Sequence, residues 1–133
     1  MPIQLRAALE YFAIVFAAGF LLGTFRTLLV IPRTGELLGT ILELPIMLVI
    51  AWCSCRSIMR RFRQIDTFQA ALVVGGAALL LLLMAEALLS VALFGLSLSQ
   101  HLALYRKLPV QIGLLGQICF SLFPLISLNL RTV

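Results

Sequence analysis

The chain has 133 residues, of which 62% are hydrophobic and only 11% charged, and it carries a net charge of +5. An ordinary soluble domain has about a quarter charged residues, and one this short leaves a large share of its surface in water. The composition therefore excludes a soluble globular domain and leaves lipid as the solvent. The basic excess does not point to nucleic acid: four of the ten basic residues, Arg56, Arg60, Arg61 and Arg63, fall in one stretch between two apolar segments. Lipid-facing basic residues on the cytoplasmic side of a membrane are usually placed so.

Four apolar segments each reach the roughly 20 residues that a bilayer crossing needs. The first runs from about Ala7 to Ile31, the second from about Glu36 to Ile58, the third from about Phe68 to Leu96 and the fourth from about Leu108 to Leu130. The expected fold is all-α: one transmembrane domain over residues 1–133, a four-helix bundle made of two antiparallel hairpins. The apolar stretch from Tyr11 to Ile31 is too long for the apolar region of a signal peptide, and no small-residue cleavage pattern follows it. It is read as a retained first helix.

The connections fit this division. Pro32-Arg33-Thr34-Gly35 reads as a tight turn of helix-breaking residues. Asp66 followed by Gln69 resembles a capping box for the third helix. Between Ser97 and Leu108 the chain is more polar. Ser97 and Gln100 could there cap a short helix lying on the membrane surface, with Leu98, Leu102 and Tyr105 on one face and His101, Arg106 and Lys107 in water. A plain loop fits nearly as well. Trp52, Phe62 and Phe68 read as interfacial anchors. By basic-residue counting, Arg6, the Arg56–Arg63 cluster and Arg131 outnumber Arg33, Arg106 and Lys107 on the other side. Both termini are therefore expected in the cytoplasm.

An ionisable group within a membrane helix costs on the order of 3 kcal/mol and needs a partner or a purpose. Arg26, Glu43 and Glu86 meet that description, and Glu10, nearer the surface, lies within reach of Arg56 or Arg60. If the first hairpin turns between Thr34 and Gly35, Arg26 and Glu43 lie at equal depth, roughly 10 Å below the interface at 1.5 Å per residue. Gly19 and Gly23 share a face with Arg26, and Gly39 shares one with Glu43, so close-packing glycine stripes carry the charges inward. In the second hairpin Glu86 has Ser90 on its own face, while Gly113, Gly116, Gln117 and Ser121 form a stripe opposite. Arg26, Glu43, Glu86 and Gln117 are thus the candidate intramembrane polar cluster, in which Arg26 is shared between the two glutamates or held by Glu43 alone. Pro45 and Pro124 would free the carbonyls of Ile41 and Phe120.

Catalytic chemistry is not signalled. One histidine and no nucleophile–base set are present, Cys53-Ser54-Cys55 has neither zinc nor thioredoxin spacing, and no metal or cofactor is expected. The expected partners are membrane lipids and a homo-oligomer or other membrane protein.

The stretches Tyr-Phe-Ala-Ile-Val-Phe-Ala-Ala-Gly-Phe-Leu-Leu-Gly-Thr-Phe-Arg from Tyr11, Ile-Pro-Arg-Thr-Gly-Glu from Ile31 and Glu-Leu-Pro-Ile-Met from Glu43 form one group of motifs. With Gly113-Leu-Leu-Gly-Gln and Phe123-Pro124, they resemble an uncharacterised family of small four-helix bacterial integral membrane proteins. The resemblance implies a bacterial inner membrane and no activity. Small multidrug transporters share a first-helix glutamate, which Glu10 would mimic, but their aromatic pattern is missing. Two readings remain: a non-enzymatic accessory or scaffold component, and a minimal oligomeric transporter or channel using the Arg/Glu cluster.

Overall fold

A computed structural model describes residues 2–132. Among the described residues the chain is helical with no strand. Its elements are α1 (Ile3–Thr34), α2 (Glu36–Arg61), α3 (Phe68–Ala92), a short α4 (Leu98–Ala103) and α5 (Leu108–Thr132). Four of the five, α1, α2, α3 and α5, are long and apolar enough to cross a membrane. In hydrocarbon every backbone polar group must be satisfied within the segment, so such runs close into helices. The protein is a multi-pass membrane protein.

The first helix does not stop at Pro32, as the sequence suggested. It runs on to Thr34 through a π-helical turn over Arg26–Val30, in which the Ile31 amide donates to the Arg26 carbonyl. Pro32 has no N–H to give, and its ring would crowd the carbonyl four residues back. Widening the helix by one residue just before Pro32 absorbs that mismatch. The whole reversal falls on Gly35, at φ +88°, which only glycine adopts without strain.

The other ends differ for equally local reasons. Helix α2 extends three residues past Ile58, with Arg60 and Arg61 in its last turn against the negative end of the helix dipole. The cap of α3 is Thr67, whose hydroxyl accepts from the Ala70 amide at 3.1 Å; Asp66 does not cap it. Helix α3 ends at Ala92 and not near Leu96. Gly95 turns left-handed at φ +66°, and the Leu96 amide reaches back to the Ser90 carbonyl at 3.0 Å, which gives a carbonyl of the last turn a donor. The Ser97/Gln100 capping box is present and opens α4.

Around the bundle the order is α1, α2, α5, α3, so α1 stands diagonally opposite α5, and α2 opposite α3. Two contacts, Glu10 with Arg61 and Arg26 with Glu43, show α1 and α2 antiparallel. Leu44 reaches Gly116 and Trp52 meets Phe123 edge-on at 5.3 Å, which sets α2 and α5 parallel. Two antiparallel hairpins are therefore laid side by side. The 62–67 connection crosses the base of the bundle, because α2 and α3 do not touch. Phe62 and Ile65 turn inward there and close the core from below, so Phe62 is not the interfacial anchor expected of it; Phe68 is exposed.

The core lies in the half nearest this connection. Ala7, Ala8, Tyr11 and Val15 of α1 meet Ala51, Cys55, Ile58 and Met59 of α2, Ala70, Ala71, Val74 and Ala78 of α3, and Phe120 and Leu128 of α5. Beyond Val15, no described residue of α1 is fully buried. The outward residues are large and apolar (Leu21, Leu88 and Phe94 among them), as a lipid-facing surface should be.

One buried bond ties the diagonal. Pro124 has no N–H to give the Phe120 carbonyl, and the Tyr11 hydroxyl donates to that carbonyl at 2.6 Å while the two rings stack at 4.2 Å. A kink in α5 is thus satisfied from α1. We expect Tyr11→Phe to lower stability by about 1–2 kcal/mol, since a buried carbonyl loses its donor. In a Pro124→Ala background, where residue 124 regains an N–H, that cost should shrink. Unfolding titrations of the two single variants and the double variant measure the difference.

Candidate functional site

The polar residues of the membrane interior resolve into two pairs. In the first hairpin Arg26 Nη1 lies 2.6 Å from Glu43 Oε2. Arg26 is the first residue of the π-helical turn, so the widened backbone aims this side chain at α2. Its stem lies on Gly39, where an added Cβ would stand 3.2 Å from Arg26 Cγ, and Gly23 faces the guanidinium. The pair is close but poorly aligned. Among the described residues Glu43 Oε2 and Arg26 Nε meet no partner at hydrogen-bonding angles, so the contact is an ion pair by distance and not a well-directed hydrogen bond. The carboxylate is the better enclosed of the two, at 14% side-chain exposure against 32% for the arginine.

In the second hairpin the Gln117 amide donates to Glu86 Oε1. Among the described residues no basic group pairs with Glu86, and Arg26 is held by Glu43 alone. The Leu44–Gly116 contact places the neighbouring Glu43 and Gln117 at a similar depth. The four residues therefore share a level of the membrane, as two pairs in separate hairpins.

Above Glu86 the arrangement departs from expectation. Ser90 does not join Glu86; its hydroxyl lies 2.7 Å from His101 Nδ1. His101, expected in water, is 6% exposed, and its ring meets Tyr105 edge-on at 5.5 Å. Burial pushes the Tyr105 phenol above its ordinary value, and the nearby Glu86 carboxylate adds to this. Gln111 Nε2 donates to the Tyr105 carbonyl at 3.0 Å. Helix α4 thus docks on the bundle through His101 and turns Leu98 and Leu102 outward. The signal for this was the unpaired Ser90 at the end of α3, facing the only histidine of the chain.

Other sequence-selected residues fall as follows. Glu10 pairs with Arg61 at 2.7 Å, not with Arg56 or Arg60, which removes Arg61 from the uncommitted basic set. Ser121 donates to the Ile118 carbonyl of its own helix. Gly19 faces Met47 and Gly116 faces Leu44, whereas Gly113 has nothing within 4 Å and is not a packing glycine. The glycine that matters most was missed. A Cβ on Gly75 would stand 1.9 Å from the Ser121 carbonyl oxygen, so α3 and α5 touch there backbone to backbone. Cys53, Cys55 and Cys119 are free thiols. Among the described residues no three of His, Cys, Asp and Glu gather as a metal site.

The arrangement can hold hairpins in register and order a polar level within a membrane. The chain matches no protein-family model, no curated protein and no solved structure.

Proposed function

We propose that the protein is a non-enzymatic component of a membrane, an accessory or scaffold subunit whose intramembrane charges fix its hairpins. One observation carries this reading: the polar groups are consumed in pairs inside the chain, Arg26 by Glu43 and Glu86 by Gln117. A buried ion pair is better suited to specifying which helices meet than to adding stability, since desolvation offsets much of its attraction. The large exposed apolar surface is available to lipid and to other membrane helices. The resemblance in sequence favours a bacterial inner membrane. The basic residues Arg6, Arg56, Arg60, Arg61 and Arg63 at one end, against Arg33, Arg106 and Lys107 at the other, favour cytoplasmic termini.

A second reading, a minimal oligomeric transporter or channel, has one observation in its favour. The Gln117–Glu86 pair and the Ser90–His101 pair, with Tyr105 against the His101 ring, place polar groups at two levels of the second hairpin, in its interior and at its surface connection. Reconstituted vesicles carrying a pH-sensitive dye separate the two. The scaffold reading expects proton flux no greater than in protein-free vesicles. It also expects Glu43→Gln to lower the unfolding midpoint while flux stays at that baseline. Proton flux that disappears in Glu86→Gln would overturn it in favour of the transporter.

A further inference from the structure

We infer that the outer face of α2 binds one molecule of an anionic phospholipid, its phosphate between Arg56 and Arg60 and an acyl chain along Val49 and Ile46. A groove of about 500 Å³ lies on this face, lined by Trp52, Cys53, Arg56, Ser57, Arg60 and Arg61. Among the described residues neither Arg56 nor Arg60 pairs with a carboxylate, because Glu10 is taken by Arg61. Two guanidinium groups and the Ser57 hydroxyl therefore stand on one helix face with donors to spare, a fitting set for phosphate oxygens. Arg56 lies over the Trp52 indole at 5.8 Å, which holds it on the groove wall.

The same face changes character along its axis. Ile46, Val49 and Cys53 follow at spacings of three and four and are exposed, at 50% and 63% for the first two. Arg56, Ser57 and Arg60 continue the stripe. At 1.5 Å per residue the apolar part covers roughly 10 Å and the basic part about 6 Å. A phospholipid has that same order of parts, a charged head followed by hydrocarbon, and half a hydrocarbon core is about 15 Å deep. Trp52 sits at the boundary, edge-on to Phe123 of α5, where an amphipathic ring is favoured at the membrane interface. The unpaired cations and the apolar track fit one occupant together. Free phosphate would use only the first.

Trp52 is the only tryptophan, so it reports on this groove directly. The full chain is reconstituted in phosphatidylcholine bilayers containing increasing fractions of brominated phosphatidylglycerol. Brominated phosphatidylcholine with the same acyl chains is the reference. We expect half-maximal quenching by the anionic lipid at a mole fraction about 25-fold lower, from roughly fivefold per arginine near the surface. Arg60→Gln should cut that preference about fivefold. Arg56→Gln should do the same but also alters the indole's own neighbour, so the first variant is the cleaner one. Arg63→Gln removes an equal charge outside the groove and should change the preference by clearly less than Arg60→Gln does. Equal quenching by both lipids would overturn the assignment. So would an effect of Arg63→Gln as large as that of Arg60→Gln, which would mark diffuse surface charge. Inorganic phosphate at constant ionic strength should leave quenching unchanged; if it abolishes the preference, the site is one for free phosphate and the lipid assignment fails.

Discussion

Gly75→Ala should lower the stability of the bundle by about 2 kcal/mol, whereas Gly76→Ala, one residue away, should be neutral or slightly stabilising. The difference lies in what a methyl group meets. At Gly75 it would overlap the Ser121 carbonyl oxygen at 1.9 Å, and at Gly76 it meets nothing within 4 Å. A carbonyl of α5 cannot swing aside as a side-chain end can, so the two helices must separate. Overpacking of that kind costs typically 1–3 kcal/mol. The gain in helix propensity from glycine to alanine, about 1 kcal/mol in water, offsets only part of it. In lipid the driving force between helices is packing itself, so separation also loosens neighbouring contacts such as the Tyr11–Phe120 stack. Unfolding of the purified variants in mixed micelles reads the difference. Equal midpoints for Gly75→Ala and Gly76→Ala would show that α3 and α5 do not approach backbone to backbone.

The existence of four crossings was legible because their length and apolarity are set by the bilayer and not by tertiary detail. The meeting of Arg26 with Glu43 was legible for a related reason. An antiparallel hairpin pairs residues equidistant from its turn, and the glycines at 19, 23 and 39 mark the faces. That inference survived the longer first helix, since moving the reversal from between Thr34 and Gly35 onto Gly35 itself shifts the pairing by only about one residue. The π-helical turn at Arg26 was not legible. It is a response to Pro32, and nothing local distinguishes a proline that ends a helix from one that a wider turn absorbs. Gly75 was hidden because two adjacent glycines in an apolar run leave the contact face undetermined. Gly113 misled for the opposite reason: it sits in a small-residue stripe beside Gly116, yet only Gly116 meets a neighbour. His101 was misplaced because a polar residue in a surface connection is assigned to water by default. Its buried partner, Ser90, lies on another helix.

Arg26→Leu should destabilise the protein by about 3 kcal/mol, and the double variant Arg26→Leu/Glu43→Leu by less than either single change. Removing the arginine leaves Glu43 at 14% side-chain exposure with no cation beside it. Breaking one side of a buried pair costs about 3–5 kcal/mol, and the lower end suits a pair that is partly open and imperfectly aligned. Glu43→Leu leaves the guanidinium, whose long stem can carry its charge part of the way to the interface roughly 10 Å above. Its cost should therefore be the smaller of the two. Two leucines remove both desolvation penalties and present apolar surface where Leu21, Leu28 and Leu42 already do. The cycle should then show a coupling of more than about 3 kcal/mol between positions 26 and 43, in the range of measured charge pairs that are desolvated together. Costs that simply add would mean that the two side chains do not interact. A double variant that folds as well as the wild type but no longer assembles would separate two roles of the pair. It would assign the charges to recognition of a partner helix, leaving packing and the Tyr11–Phe120 bond to hold the bundle.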